Sequence, residues 1–299
     1  SRIVWTRQRQ RGMMTTPFLI ENAILVGTAG SKAHGLNLSG SDDHDLMGIF
    51  IEPPEYLTGL DSIETVVRRT KPEGERSGHG DYDIVMHGLR KWCRLAANGN
   101  PTVVMMLHLP ASLLSVCRSR GAALQRIRMA FSSKKVVRCF LGYMEAQKER
   151  LVGQRGQMRV TRQDLIDAHG YDTKYAMHVL RLARQGREFA DTGRITLPMP
   201  APDIADLMAV RRGEPSLDET LKMIEAAQGE LETAYRKCTL PDQPDRVAIN
   251  EYMVQTYRQW WRSFAWNYDM RSRREQGDVL EWLKTKTESP GCATNVVGM

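Results

Sequence analysis

Asp43 and Asp45 stand two residues apart, a short polar spacer downstream of Gly30-Ser31, in a chain of 299 residues. In an extended strand, residues i and i+2 point to one face, so these two carboxylates would sit side by side. Carboxylates that close repel each other unless a cation lies between them, and hard divalent ions prefer oxygen ligands. Gly30 and Ser31 can offer backbone N–H groups and a hydroxyl to a phosphate. A phosphate seat beside paired carboxylates is equipment for phosphoryl or nucleotidyl transfer. The plainer alternative is an acidic surface turn after a short strand.

The elements around these residues follow from pattern. The apolar run Ala23 to Val26 predicts a first strand that enters the Gly-Ser turn, and a short helix is expected over Gly30 to Gly35. A second strand is expected from Asp45 to Ile51, ended by Pro53-Pro54, and a third over the β-branched stretch Ile63 to Val67. Arg68 to Gly80 is charged and rich in Gly, hence a loop. Its Arg68, Arg69 and Arg76 could grip a substrate or simply be solvated. Asp81 to Met86 predicts a fourth strand. A third carboxylate on a neighbouring strand, near an activated hydroxyl, would complete such a site. Asp83 opens the apolar run and is the first candidate; Asp81, one pleat away on the same face, is the second.

Gly30-Ser31, eleven residues, then Asp43-His44-Asp45, all after an apolar strand, resembles the signature of the DNA polymerase β-type nucleotidyltransferase superfamily. His44 departs from that signature, whose middle residue is usually apolar, and should point away from the carboxylates. The strand at Asp83, the helix Gly88 to Ala97, the stop and restart at Asn98-Gly99-Asn100-Pro101 and the apolar helix Thr102 to Leu109 are similar to one branch of it. That branch is the RNA-repair-pathway, DNA polymerase β-like nucleotidyltransferases. Its members often carry a Glu after Asn-Pro, where this chain has Val104-Met105-Met106, which leaves the third acid to Asp83. The likeness continues through Tyr171-Asp172-Thr173-Lys174, His178 and Arg181-Leu182 and reaches Asp245.

The resemblance implies an α+β fold, with a small mixed sheet as the nucleotidyltransferase core and an all-helical C-terminal domain. It implies Asp43, Asp45 and Asp83 as catalytic, metal-binding residues for two divalent ions, Mg²⁺ or Mn²⁺. Gly30, Ser31, Lys174, His178 and Arg181 would contact the phosphates of ATP or another NTP. The acceptor would be a hydroxyl, RNA or tRNA first; a protein, as in nucleotidylating toxins, or a small molecule fits the motif equally. A rival in another class is a protein that keeps the fold but only binds RNA or senses nucleotide.

Helices dominate the rest of the pattern: Leu113 to Ile127, Ser132 to Leu151, one capped by Asp172 or Thr173 within the stretch Asp164 to Gly186, Asp203 to Arg211, Ser216 to Cys238 and Arg246 to Met270. Lys174, His178 and Arg181 share a face at i, i+4 and i+7, a stripe that suits phosphate or solvent alike. Ser216 and Glu219 form a capping-box pattern. The last helix interleaves Tyr252, Tyr257, Trp260, Trp261, Phe264, Trp266 and Tyr268 with arginines, so its aromatics either pack on the fold or stack on bases. Adjacent Trp260 and Trp261 should not both face inward. The expected organisation is an arm or leader over 1–14, a catalytic domain over 15–110, a helical substrate-positioning domain over 111–275 and a tail over 276–299. A formal charge of +7 and a pI near 9.2 suit a nucleotide or nucleic-acid partner. The five isolated cysteines argue against a disulfide framework and a zinc site, and for reduced thiols in the cytoplasm. No apolar run is long enough to span a membrane.

Overall fold

The computed structural model describes residues 19, 21–38, 44–71, 80–153 and 162–263. Among these described residues, five strands form one mixed sheet: β1 (Ala23–Thr28), β2 (His44–Phe50), β3 (Thr65–Arg69), β4 (Tyr82–Gly88) and β5 (Leu114–Cys117). Their order is β3-β4-β2-β1-β5; β2 and β4 run parallel and every other pair is antiparallel. The helices are α1 (Gly30–His34), α2 (Pro54–Thr58), α3 (Leu89–Ala97), α4 (Pro101–Val104), α5 (Ser119–Arg126), α6 (Lys134–Leu151), α7 (Gln163–His169), α8 (Thr173–Thr192), α9 (Ala201–Arg211), α10 (Leu217–Lys237) and α11 (Arg246–Ser263). The α+β expectation holds.

Period-2 alternation gives the sheet two faces with different jobs. Val26, Leu46, Phe50, Ile84 and Met86 close a small apolar cluster on one face. Leu25, Met47 and Ile49 turn to the other face and join a large cluster with Trp92, Met106, Phe140, Val179 and Phe189 from the helical layer. Within that layer α8 packs along α6, α9 and α10. Gly186 allows this, because a Cβ there would stand 2.8 Å from the Cβ of Phe140. Asp172 caps α8 by accepting from the Tyr175 amide at 3.0 Å, and Ser216 and Glu219 form the expected capping box of α10.

Two expectations are corrected. The helix expected over Leu113 to Ile127 is instead strand β5 followed by α5. Leu114 and Val116 alternate as well as they match a helix, and the free edge of β1 needs a partner for its backbone groups. The third strand sits two residues later than expected, so Arg68 and Arg69 lie in β3 and not in a loop; Arg76 lies outside the described residues.

The aromatic helix α11 packs on the fold. The Trp260 indole donates to Asn22 Oδ1 at 2.9 Å, and that of Trp261 to the Glu52 carbonyl at 3.0 Å. Tyr252 donates to the Arg120 carbonyl at 2.8 Å and Tyr257 to Glu52 Oε2 at 2.6 Å. Both adjacent tryptophans face the protein, against the expectation that one would be exposed. Phe264, Trp266 and Tyr268 lie outside the described residues. Among the described residues, no helix is long and apolar enough to cross a membrane.

Glu52 is the buried knot of this docking. Its Oε2 also accepts from the Leu89 amide at 2.9 Å, at the start of α3. Burial raises its pKa, against the hydrogen bonds from Tyr257 and the backbone that lower it. A raised folded pKa gives stability that is fully present below the unfolded value of 4.5 and is lost as pH rises through the folded value. The expected result is that Glu52→Gln, which keeps an acceptor for both donors, gains stability relative to the wild type as pH rises above 4.5 and then levels off. Denaturant unfolding of both proteins across that window checks it.

Candidate active site

β2 and β4 place Asp45 directly beside Asp83 in parallel register, and β3 places Arg69 beside Asp83 on the other side. Residues in register share a face, so these three side chains form a row across the sheet. Met47 and Ile49 share that face with Asp45 and pack into the large cluster, so the row faces the helical layer. Arg69 Nε lies 3.2 Å from Asp83 Oδ1. The Asp83 side chain is 26% exposed, open enough to exchange this cation for another.

Gly30 is built against this row. Its φ of +61° belongs to the left-handed region, and a Cβ at this position would overlap the Asp45 carboxylate. The Ala29 amide donates to the Asp45 carbonyl at 2.8 Å, which ties the Gly-Ser turn to β2. Ser31 follows on α1, half-buried.

The other candidates separate cleanly. Asp81 accepts from Thr70 Oγ1 at 2.8 Å, and that hydroxyl accepts from the Tyr82 amide at 3.0 Å, so Asp81 fastens the start of β4 to β3. His44 turns to the opposite face from Asp45, as expected. It stacks on Tyr82 with centroids 4.5 Å apart, and its Nδ1 lies 3.2 Å from Lys32 Nζ. Val104, Met105 and Met106 are buried in the core. Asp43 lies outside the described residues. Among the described residues no group of three His, Cys, Asp or Glu side chains is placed to hold a metal ion. Asp45 and Asp83 supply two neighbouring carboxylates, an all-oxygen set of the kind Mg²⁺ and Mn²⁺ take.

Across from Gly30, α8 delivers the cationic stripe. His178 and Arg181 line one small pocket with Gly30, His34, Thr102 and Gln185, with a volume of about 100 Å³. Lys174, half-buried on the first turn of α8, does not line it. Burial pulls Arg181 down to about 10. Burial first, then the charges of Arg181, Lys174, Arg162 and Arg211, push His178 well below its usual 6.5. Burial first, then Arg181 and His178, do the same to His34. Both imidazoles are therefore neutral near pH 7.

Two members of this pocket escaped the sequence reading. Arg181 Nη1 lies 3.1 Å from His34 Nε2 and 2.9 Å from Gln185 Oε1. Gln185 Nε2 lies 3.0 Å from His34 Nδ1. The only sequence signals are local ones: His34 stands four residues after Gly30 on α1, and Gln185 four after Arg181 on α8.

The family model for RlaP, the RNA repair pathway DNA polymerase beta family, matches residues 15–255. No curated protein matches the chain. Among solved structures, a nucleotidyltransferase-like protein from Exiguobacterium sibiricum 255-15 aligns over 80% of this chain and 74% of its own, at 12% identity. The TM-score is 0.26, too low for that likeness to carry an argument.

Proposed function

The chain belongs to the RNA repair pathway DNA polymerase beta family, and from that premise we propose that it transfers a nucleoside monophosphate from an NTP to a hydroxyl, most readily one on RNA. The observation that carries the reading is the lateral pairing of Asp45 with Asp83, with Gly30 seated on the Asp45 carboxylate. Asp43, Asp45 and Asp83 would hold two divalent ions. Such ions neutralise phosphate charge and lower the pKa of the acceptor hydroxyl. Asp83, on the neighbouring strand, serves the acceptor side; Asp43 and Asp45 serve the donor phosphates. Gly30, Ser31, Lys174, His178 and Arg181 hold the triphosphate, and the Gly-Ser turn keeps it in line with the attacking oxygen. A bond forms from the acceptor oxygen to the α-phosphorus, the α–β bridge breaks, pyrophosphate leaves and the hydroxyl proton passes to solvent. Holding donor and acceptor in this geometry is the larger part of catalysis in such transfers.

RNA is favoured by the family and by the basic balance of +7. The test offers each α-labelled NTP, with Mg²⁺ or Mn²⁺, to total RNA and to a protein lysate. Label in RNA, lost on chelation, is the expected result. Label in protein alone moves the acceptor to a protein hydroxyl. Nucleotide binding with no labelled product in any fraction overturns the enzymatic reading.

A further inference from the structure

The contacts among Arg181, Gln185 and His34 form a triangle whose hydrogen bonds do not balance. Arginine only donates. The two Arg181 Nη1 contacts therefore make His34 Nε2 and Gln185 Oε1 acceptors. A neutral imidazole with a bare Nε2 carries its proton on Nδ1. That proton faces Gln185 Nε2, which is itself a donor, across 3.0 Å. Reversing the amide only moves the mismatch to the Arg181 edge. One of the three contacts thus sets donor against donor, inside the protein, where such a mismatch is costly.

The pocket beside it adds to the same account. Arg181 Nε and His178 Nδ1 are buried and have no hydrogen-bond partner among the described residues. The cavity of about 100 Å³ is well below the several hundred that a drug-sized ligand fills, yet it exceeds what one water needs. A small group rich in acceptor oxygens and carrying negative charge matches that volume and that donor excess.

We infer that His34 and Gln185 are positioning residues that aim the Arg181 guanidinium at Gly30, in a triangle completed only when one phosphoryl group enters the pocket. The incoming oxygen takes the Nη1 proton now shared with Gln185. The Gln185 amide then reverses: its Oε1 accepts from His34 Nδ1, and its Nε2, now beside Arg181 Nη1, donates to the same phosphoryl group. His34 Nε2 keeps its hold on Arg181 throughout, so every donor finds an acceptor. This rests on the nucleotidyl-transfer reading, with the phosphoryl group belonging to the NTP tail.

The test uses the full chain and two probes with Mg²⁺: inorganic tripolyphosphate, which is the tail without base or sugar, and each NTP. Affinity is measured by calorimetry, alongside the ligand-induced rise in melting temperature relative to each variant's own apo value. Arg181→Met is expected to weaken tripolyphosphate about 100-fold, the loss of a charge-assisted contact. His34→Leu, which removes the Nε2 acceptor, is expected to weaken it about tenfold. His34→Gln, whose carbonyl can reach the Nε2 position, should recover affinity to within about threefold of the wild type. In transfer assays the His34→Leu loss should appear in KM for the NTP, with kcat nearly unchanged. No tripolyphosphate or NTP binding by the wild type, or wild-type binding by Arg181→Met, overturns the phosphate reading of the pocket. Loss in Arg181→Met with wild-type affinity in His34→Leu overturns the positioning role alone. So does an equal loss in His34→Leu and His34→Gln.

Discussion

Asp45→Asn is expected to cut nucleotidyl transfer at least about 1000-fold, roughly 4 kcal/mol of transition-state stabilisation. The amide keeps the shape of the side chain and one acceptor oxygen. It loses the charge on which a hard divalent ion depends. Asp83→Asn should fall as far, because the carboxylates stand side by side in register and act as one unit. The fold should not suffer. With no metal present, Asp45→Asn relieves the repulsion between two adjacent negative charges, so its metal-free denaturant melts should give equal or slightly higher stability, whereas Asp83→Asn also gives up the partly exposed ion pair with Arg69 and should stay within about 1 kcal/mol of the wild type. Activity and stability thus move apart, which misfolding cannot mimic. Asp81→Asn is the contrast: Asp81 is occupied by the Thr70 hydroxyl at the start of β4. It should cost some stability and leave kcat within about threefold. Equal activity losses in Asp81→Asn and Asp83→Asn would refute the placement of the third acid on Asp83.

What could be read in advance was mostly local. The Gly-Ser turn, the short helix after it and the Asp-bearing strand lie within about twenty residues, where glycine, burial and period-2 alternation leave few choices. The caps at Asp172 and Ser216 were legible for the same reason. The adjacency of Asp45 to Asp83 needed the parallel pairing of β2 with β4, which no spacing encodes. His34 with Gln185 is a contact across 151 positions between two helices, and neither residue looks unusual in its own stretch. Arg69 looked like part of a loop because its neighbours are polar; the shift of β3 puts it beside Asp83. The two tryptophans misled for a geometric reason. Adjacent helical residues point about 100° apart, too far for one flat face. α11 lies in a crevice between Asn22, just before β1, and Glu52, just after β2, so each indole finds a polar partner on its own wall. β5 was hidden by a run of four residues too short for any period to declare itself.

Gly30→Ala should separate the turn's two roles, lowering transfer at least about 100-fold while costing only about 2 kcal/mol in stability. The stability cost has a backbone part, since a φ of +61° penalises any L side chain. It has a smaller packing part, because the obstacle is a half-exposed carboxylate that can swing aside. That swing is what ruins activity. The new methyl group occupies the place of the Asp45 carboxylate, and a displacement near 1 Å at a positioned group can cost two orders of magnitude in rate. Gly170→Ala supplies the control. Its φ of +80° carries the same backbone penalty, yet nothing lies within 4 Å of the added Cβ. It should lose about 1 kcal/mol and keep its transfer rate. Thermal melts and initial rates on the two variants decide the matter. If Gly30→Ala loses no more activity than Gly170→Ala, the Gly-Ser turn is a mere chain reversal and Asp45 is held by something else.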